Sequence, residues 1–273
     1  MAVRADNLCW ARPDSPNGTG ALVLAGSSGR IDTGRVQMLA RRGVTALGMR
    51  WFGGEGLPRV PLEVPLEVFV QALDELAREC DRLVVLGLSY GAEAALLTTA
   101  IDRRPSGVVA FAPTDVAWEG QAGADDDPVR SKWTWRGRPV PFVPLDRGWE
   151  PPPGKPAFVG LYEHSRALAG PVAVAAATIP VEQIAGEVVL VAGGDDQVWP
   201  SAASATRIAA RRAQAGLTTT VVTDARAGHP VVLPGEAAPS LDRPYQVGGD
   251  EGAPQRLGRA AWPHIARLLV IEP

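Results

Sequence analysis

The chain has little that titrates or reacts near neutral pH. Its 273 residues include two cysteines, three histidines and three methionines. Cys9 and Cys80 match no metal-ligand spacing, and two thiols make no disulfide framework. The expectation is a pair of reduced thiols in a cytoplasmic protein. No apolar run can span a bilayer: the longest, near Gly170 to Val181, is short and holds two prolines. Neither sign of charge dominates, with 27 basic against 30 acidic residues and a net charge of −3. That excludes the basic footprint of a nucleic-acid or anionic-lipid binder. The N-terminal MAVRADNLCW has no apolar h-region, so no secretory signal is expected.

What is present is ordinary for a globular protein: 46% hydrophobic and 21% charged residues. The 25 prolines and 30 glycines gather at segment ends instead of forming a linker. The length suits one α/β domain over residues 1–273, with an insertion inside it.

Short apolar runs alternate with helix-length amphipathic stretches, which predicts βαβ units and a mostly parallel sheet with helices on both faces. Strands are expected at Gly20–Ala25, Val44–Trp51, Arg82–Leu88, Gly107–Ala112, Glu187–Ala192 and Thr218–Thr223, those at Gly20–Ala25, Arg82–Leu88 and Glu187–Ala192 buried. A helix is expected from Asp32 or Thr33 to Gly43. Another spans Pro65–Cys80, where Leu66, Phe69, Val70, Leu73, Leu76 and Ala77 form one apolar face and Pro65 suits the first turn. An alanine-rich helix follows Ser89. Two more run from about Ser201 to Ala215, ended by Gly216, and from about Pro254 to Val270. Between 115 and 178 the rhythm breaks. This stretch, rich in tryptophan and proline, is expected to be a lid-like insertion over one end of the sheet, with a short hairpin at Ser131–Pro141 and some helix near its end.

Chemistry concentrates at Gly87-Leu-Ser-Tyr-Gly91, a G-x-S-x-G between a buried strand and a helix. A chain turning directly from strand to helix leaves no room beside the turn, so glycines flank the serine, and Ser89 Oγ is raised to the positive end of the helix. The competing reading is a serine that merely caps an ordinary helix. Serine needs an adjacent base. Of the three histidines, His229 follows the last strand in Ala-Gly-His-Pro, while His164 and His264 are expected to be surface or structural. The acid that orients the base is expected in Gly193-Gly-Asp-Asp-Gln-Val-Trp-Pro200, where spacing selects Asp196 with Asp195 as runner-up. The order Ser89, Asp196, His229 is that of α/β-hydrolases. Two backbone N–H groups, of Tyr90 and of Ser27 in Gly26-Ser-Ser-Gly29, are the expected oxyanion donors.

At these residues the chain resembles the C-terminal catalytic domain of acyl-CoA thioesterases and bile acid-CoA:amino acid N-acyltransferases. The resemblance runs from about residue 20 to the end. It also rests on Met38-Leu-Ala-Arg-Arg-Gly43, Trp51-Phe-Gly-Gly54, Trp133-Thr-Trp-Arg-Gly-Arg-Pro-Val-Pro141, Ile179-Pro-Val-Glu182 and Gly193-Gly-Asp-Asp-Gln-Val-Trp-Pro-Ser201. It implies an α/β-hydrolase fold with Ser89 as nucleophile, Asp196 as acid and His229 as base. The family's N-acyltransferases carry cysteine at the nucleophile position and its thioesterases serine, so Ser89 favours transfer to water. Two departures are expected: the family's mammalian members carry an N-terminal β-sandwich for which no counterpart is expected here, and the expected oxyanion loop holds serines where those members are richer in glycine.

The expected activity is acyl-thioester hydrolysis needing no cofactor or metal. Carboxylester or lactone hydrolysis, transfer to another acceptor, and a silent acyl-binding scaffold are the alternatives. The expected partner is a small acyl thioester or ester, with CoA or an acyl carrier protein as carrier. The tryptophans of the insertion either line an acyl pocket or fill the core.

Overall fold

The computed structural model describes residues 4–121, 128–238 and 243–271. In chain order the strands and α-helices are β1 (Leu8–Ala11), β2 (Thr19–Leu24), α1 (Thr33–Ala40), β3 (Thr45–Met49), β4 (Val64–Pro65), α2 (Glu67–Leu76), β5 (Arg82–Leu88) and α3 (Tyr90–Ile101). They continue with β6 (Gly107–Phe111), β7 (Trp133–Trp135), β8 (Arg138–Pro139), α4 (Val159–Ala177), β9 (Glu187–Gly193), α5 (Ser201–Gln214), β10 (Thr220–Asp224) and α6 (Ala253–Leu268).

Seven strands form one sheet in the order β1-β3-β2-β5-β6-β9-β10. All neighbours are parallel except β1, which runs antiparallel to β3 at the edge. The central strands are apolar throughout because both faces are covered. Alternation along each strand divides the core in two. Leu22, Leu24, Leu83, Val85, Val188 and Leu190 face α2, α3 and α5. Ala21, Val23, Val84, Leu86, Val189 and Val191 face α1 and α6. This is the α/β fold with a mostly parallel sheet that the segment pattern predicts.

Local signals set the helix ends. The Asp32 carboxylate accepts the Arg35 N–H at 3.1 Å and caps α1. Gly216, at φ +73°, follows α5 in a conformation that favours glycine. One expectation is corrected. Pro65 does not start α2: it ends β4, paired with Thr134 of β7, and α2 begins at Glu67. The Leu66 N–H donates to Thr134 O at 2.9 Å, so the backbone is still committed to strand pairing where the amphipathic pattern already begins.

The hairpin expected at 131–141 is present as β7 and β8, and with β4 it makes a second, three-stranded sheet. Trp118 and Trp133 are buried, the latter 5.1 Å from Trp51 and 5.9 Å from Phe69 between ring centroids. These two tryptophans are core. Bridges Val116–Thr178, Trp118–Val143 and Glu119–Ser131 tie the stretch together. α4 is broken at Gly170 (φ +74°), just before Pro171.

Candidate active site

The turn from β5 to α3 holds Ser89 at φ +58°, ψ −121°. A non-glycine residue there is strained and persists only because its surroundings over-determine it. The Ser89 N–H donates to Phe111 O at 2.9 Å, continuing the β5–β6 ladder. Its carbonyl accepts the N–H of Ala92 at 2.8 Å and of Glu93 at 3.1 Å, opening the helix. The side chain makes no capping hydrogen bond, so Ser89 is not an ordinary cap. Space explains the flanking glycines. A Cβ at Gly87 would overlap the Gly91 carbonyl, and one at Gly91 would overlap the carbonyls of Leu24 and Ala25.

His229 and Asp196 meet through a backbone-to-backbone contact of three loops. A Cβ at Gly193 would strike the carbonyl of Gly228, and one at Gly228 that of Gly248. The Asp195 N–H donates to Ala227 O at 2.9 Å, and the His229 N–H to Val247 O at 2.8 Å. The result is His229 Nδ1 at 2.9 Å from Asp196 Oδ2 and 3.0 Å from Oδ1. The same carboxylate accepts from Ser201 Oγ at 2.7 Å and from the N–H of Val198 at 2.9 Å. Asp196 is therefore buried but well satisfied. Asp195 instead accepts from Gln197 Nε2 and the Gly249 N–H, both at 2.7 Å. With Nδ1 engaged, Nε2 is the ring atom left for a substrate-side proton. No hydrogen bond joins it to Ser89 Oγ.

The loop after β2 runs beside the serine: a Cβ on Gly26 would sit 3.1 Å from Ser89 Cβ. The N–H groups of Ser27, in this loop, and of Tyr90, the first residue of α3, have no acceptor among the described residues. The other two histidines lie apart. His164 is largely exposed and sits 3.2 Å from Asp146, and His264 is exposed on α6.

Sequence reasoning missed the wall behind these groups. Tyr162 of α4 packs on Trp118 (4.8 Å) and Trp199 (5.6 Å), and Trp199 packs on Tyr90 (5.7 Å) and His229 (6.1 Å). Tyr90 and Tyr162 share a hydrogen bond between hydroxyls at 3.1 Å. Burial, then the neighbouring Tyr90, pushes the Tyr162 phenol well above its ordinary range. Trp199 was visible only as part of the acid-loop motif, and Tyr162 carried no signal. Arg166, Arg207 and Arg211 also gather, around a cavity of about 260 Å³. Asp115 pairs with the first two and Glu182 with the third. Among the described residues no group of three or more His, Cys, Asp or Glu is arranged to hold a metal ion, and no helix is long and apolar enough to cross a membrane.

A family model described as BAAT / Acyl-CoA thioester hydrolase C terminal matches residues 64–240. Among curated proteins none matches the sequence. Among solved structures, a Klebsiella pneumoniae protein described as a dienelactone hydrolase is similar at TM-score 0.53 and 14% identity, over 96% of this chain and 98% of that one. A Pyrococcus horikoshii acylaminoacyl peptidase is similar at TM-score 0.56 and 9% identity, over 97% of this chain and 40% of that one. A Mycobacterium tuberculosis puromycin-hydrolyzing peptidase gives 0.52 and 17%, over 96% and 35%. At these identities the likeness is one of fold: the α/β-hydrolase fold.

Proposed function

The chain belongs to the BAAT / acyl-CoA thioester hydrolase C-terminal family, and from that premise we propose that it is a serine hydrolase of acyl thioesters acting through Ser89, His229 and Asp196. The observation that carries the reading is a strained serine at a strand-to-helix turn together with a part-buried histidine–aspartate pair, with Trp199 packed against both Tyr90 beside the serine and the imidazole.

In the proposed cycle Ser89 Oγ attacks the acyl carbonyl carbon and its proton passes to His229 Nε2. Asp196, bonded to Nδ1, fixes the tautomer and stabilises the imidazolium. The negative oxygen is received by the N–H groups of Tyr90 and Ser27. Collapse breaks the carbon–sulfur bond, and the leaving thiolate takes the proton from His229. Water then gives a proton to His229 and attacks the seryl ester. The acid departs and the proton returns to Ser89. The substrate is a small acyl thioester, with CoA or an acyl carrier protein as the leaving thiol. Two free cysteines are consistent with a reducing, cytoplasmic setting.

A panel of acyl-CoA, acyl-pantetheine and nitrophenyl ester substrates tests this. Thioester hydrolysis is expected, lost in Ser89→Ala. Hydrolysis of esters alone replaces the substrate class, and absence of turnover with no fluorophosphonate labelling removes the enzyme reading.

A further inference from the structure

We propose that the buried ion pair Lys132–Glu93 is a positioning device for the Tyr90 amide, and that it governs the rate of the acyl-transfer step without touching substrate. The inference rests on the serine-hydrolase reading above.

Glu93 lies one helical turn beyond Ser89 on α3, and its own N–H bonds the Ser89 carbonyl at 3.1 Å. Both side chains of the pair are fully buried, with Lys132 Nζ 2.7 Å from Glu93 Oε2. The other carboxylate oxygen accepts from the Trp118 N–H at 3.0 Å and from Trp133 Nε1 at 2.7 Å. One carboxylate thus fastens the nucleophile helix to the strand-like segment at Trp118 and to the β7 hairpin. The ammonium lies 3.5 Å from the centroid of the Tyr90 ring, a close cation–π contact. Trp199 also packs on that ring, and the hydroxyl of Tyr162 bonds the hydroxyl at its tip. Tyr90 is therefore held by a cation, an indole and a hydrogen bond.

Removing two charges from water is costly, and apolar residues of the same volume often pack as stably. What an apolar pair lacks is direction. Ser89 holds the strained dihedrals (φ +58°, ψ −121°) at one end of the Ser89–Tyr90 peptide, whose N–H is the proposed oxyanion donor. Rotation of that peptide would relieve the strain and withdraw the donor. Gripping the Tyr90 ring opposes the rotation. An oxyanion donor works only when aimed before the charge develops, so small losses of aim reduce rate more than binding.

The test compares wild type with the doubly neutral variant Lys132→Met/Glu93→Gln, which leaves no unpaired buried charge. Melting temperature, kcat, KM for an acyl thioester and the rate of fluorophosphonate labelling are measured. The expected result is a folded protein with kcat lowered about 10- to 100-fold, KM within about 3-fold, and labelling slowed by the same factor as kcat. A folded variant with kcat within about 3-fold of wild type, or a raised KM at unchanged kcat, overturns the proposal. Tyr90→Ala supplies an independent arm, because it keeps the amide and removes the ring. It is expected to lower kcat by a similar factor, and wild-type kcat in that variant overturns the proposal even if the double variant does not fold. Labelling of wild type at Ser89, lost in Ser89→Ala, separates the two levels: without it the hydrolase reading itself fails.

Discussion

At the scale of single residues, the two adjacent aspartates make the sharpest contrast. They differ by one position and face different partners: Asp196 meets the imidazole, while Asp195 bonds Gln197 and the Gly249 amide. Asp196→Asn is expected to lower kcat about 10⁴-fold, the scale at which a misassigned imidazole tautomer acts. Asp195→Asn keeps its carbonyl acceptor and is expected to cost less than about 10-fold. Steady-state kinetics on both variants checks this, and the opposite ranking would move the acid one residue earlier. Ser89→Ala is expected to abolish turnover while leaving the melting temperature within a few degrees. Ser89, Asp196 and His229 are legible in the sequence as candidates because each sits in a short motif that follows a strand of the seven-stranded sheet. Glu93 and Lys132 are not. Nothing local marks a glutamate in an alanine-rich helix as the partner of a lysine 39 residues away.

At the scale of elements, close packing of backbone decides where the site assembles. Gly193, Gly228 and Gly248 bring the acid loop, the base loop and a later loop into contact that no side chain could enter. Gly228→Ala is expected to destabilise the fold by about 1–3 kcal/mol and to separate His229 from Asp196. The measurements are denaturant unfolding and kcat, and an unchanged kcat would show that the loops can yield. The helices and core strands were legible as apolar periodicity. Two short strands were not. β1 is a four-residue edge strand and β4 two residues, and both exist only through partners distant in the chain. That is why Pro65, placed by pattern in a helix, lies in a strand: pairing with Thr134 outweighs local preference.

At the scale of the whole molecule, one sheet with two apolar layers supplies a rigid platform, and the insertion contributes both to the core and to the wall of the site. Trp118 and Trp133 support the sheet, while Tyr162 joins the insertion's helix to Tyr90. This junction has a pH signature. Burial raises the Tyr162 phenol above its ordinary value of 10.0, so the folded state holds that proton more tightly than the unfolded chain. The stabilisation is full below pH 10 and declines as pH rises from there toward the folded value. Unfolding free energy is expected to fall more steeply above pH 10 in wild type than in Tyr162→Phe, as measured by chemical denaturation at successive pH values. Equal slopes would remove Tyr162 from the account. Fold class was open to sequence pattern because strand and helix periods are local, whereas the aromatic wall depends on chain segments that meet only after folding. The central claim, that the Ser89 hydroxyl carries the acyl group, is tested most directly by mass spectrometry after rapid acid quench with a mixture of acyl thioesters. The account predicts an added acyl mass on the peptide containing Ser89, absent in Ser89→Ala. An acyl mass on any other residue, or thioester turnover with no acylated Ser89 at any quench time, would contradict it.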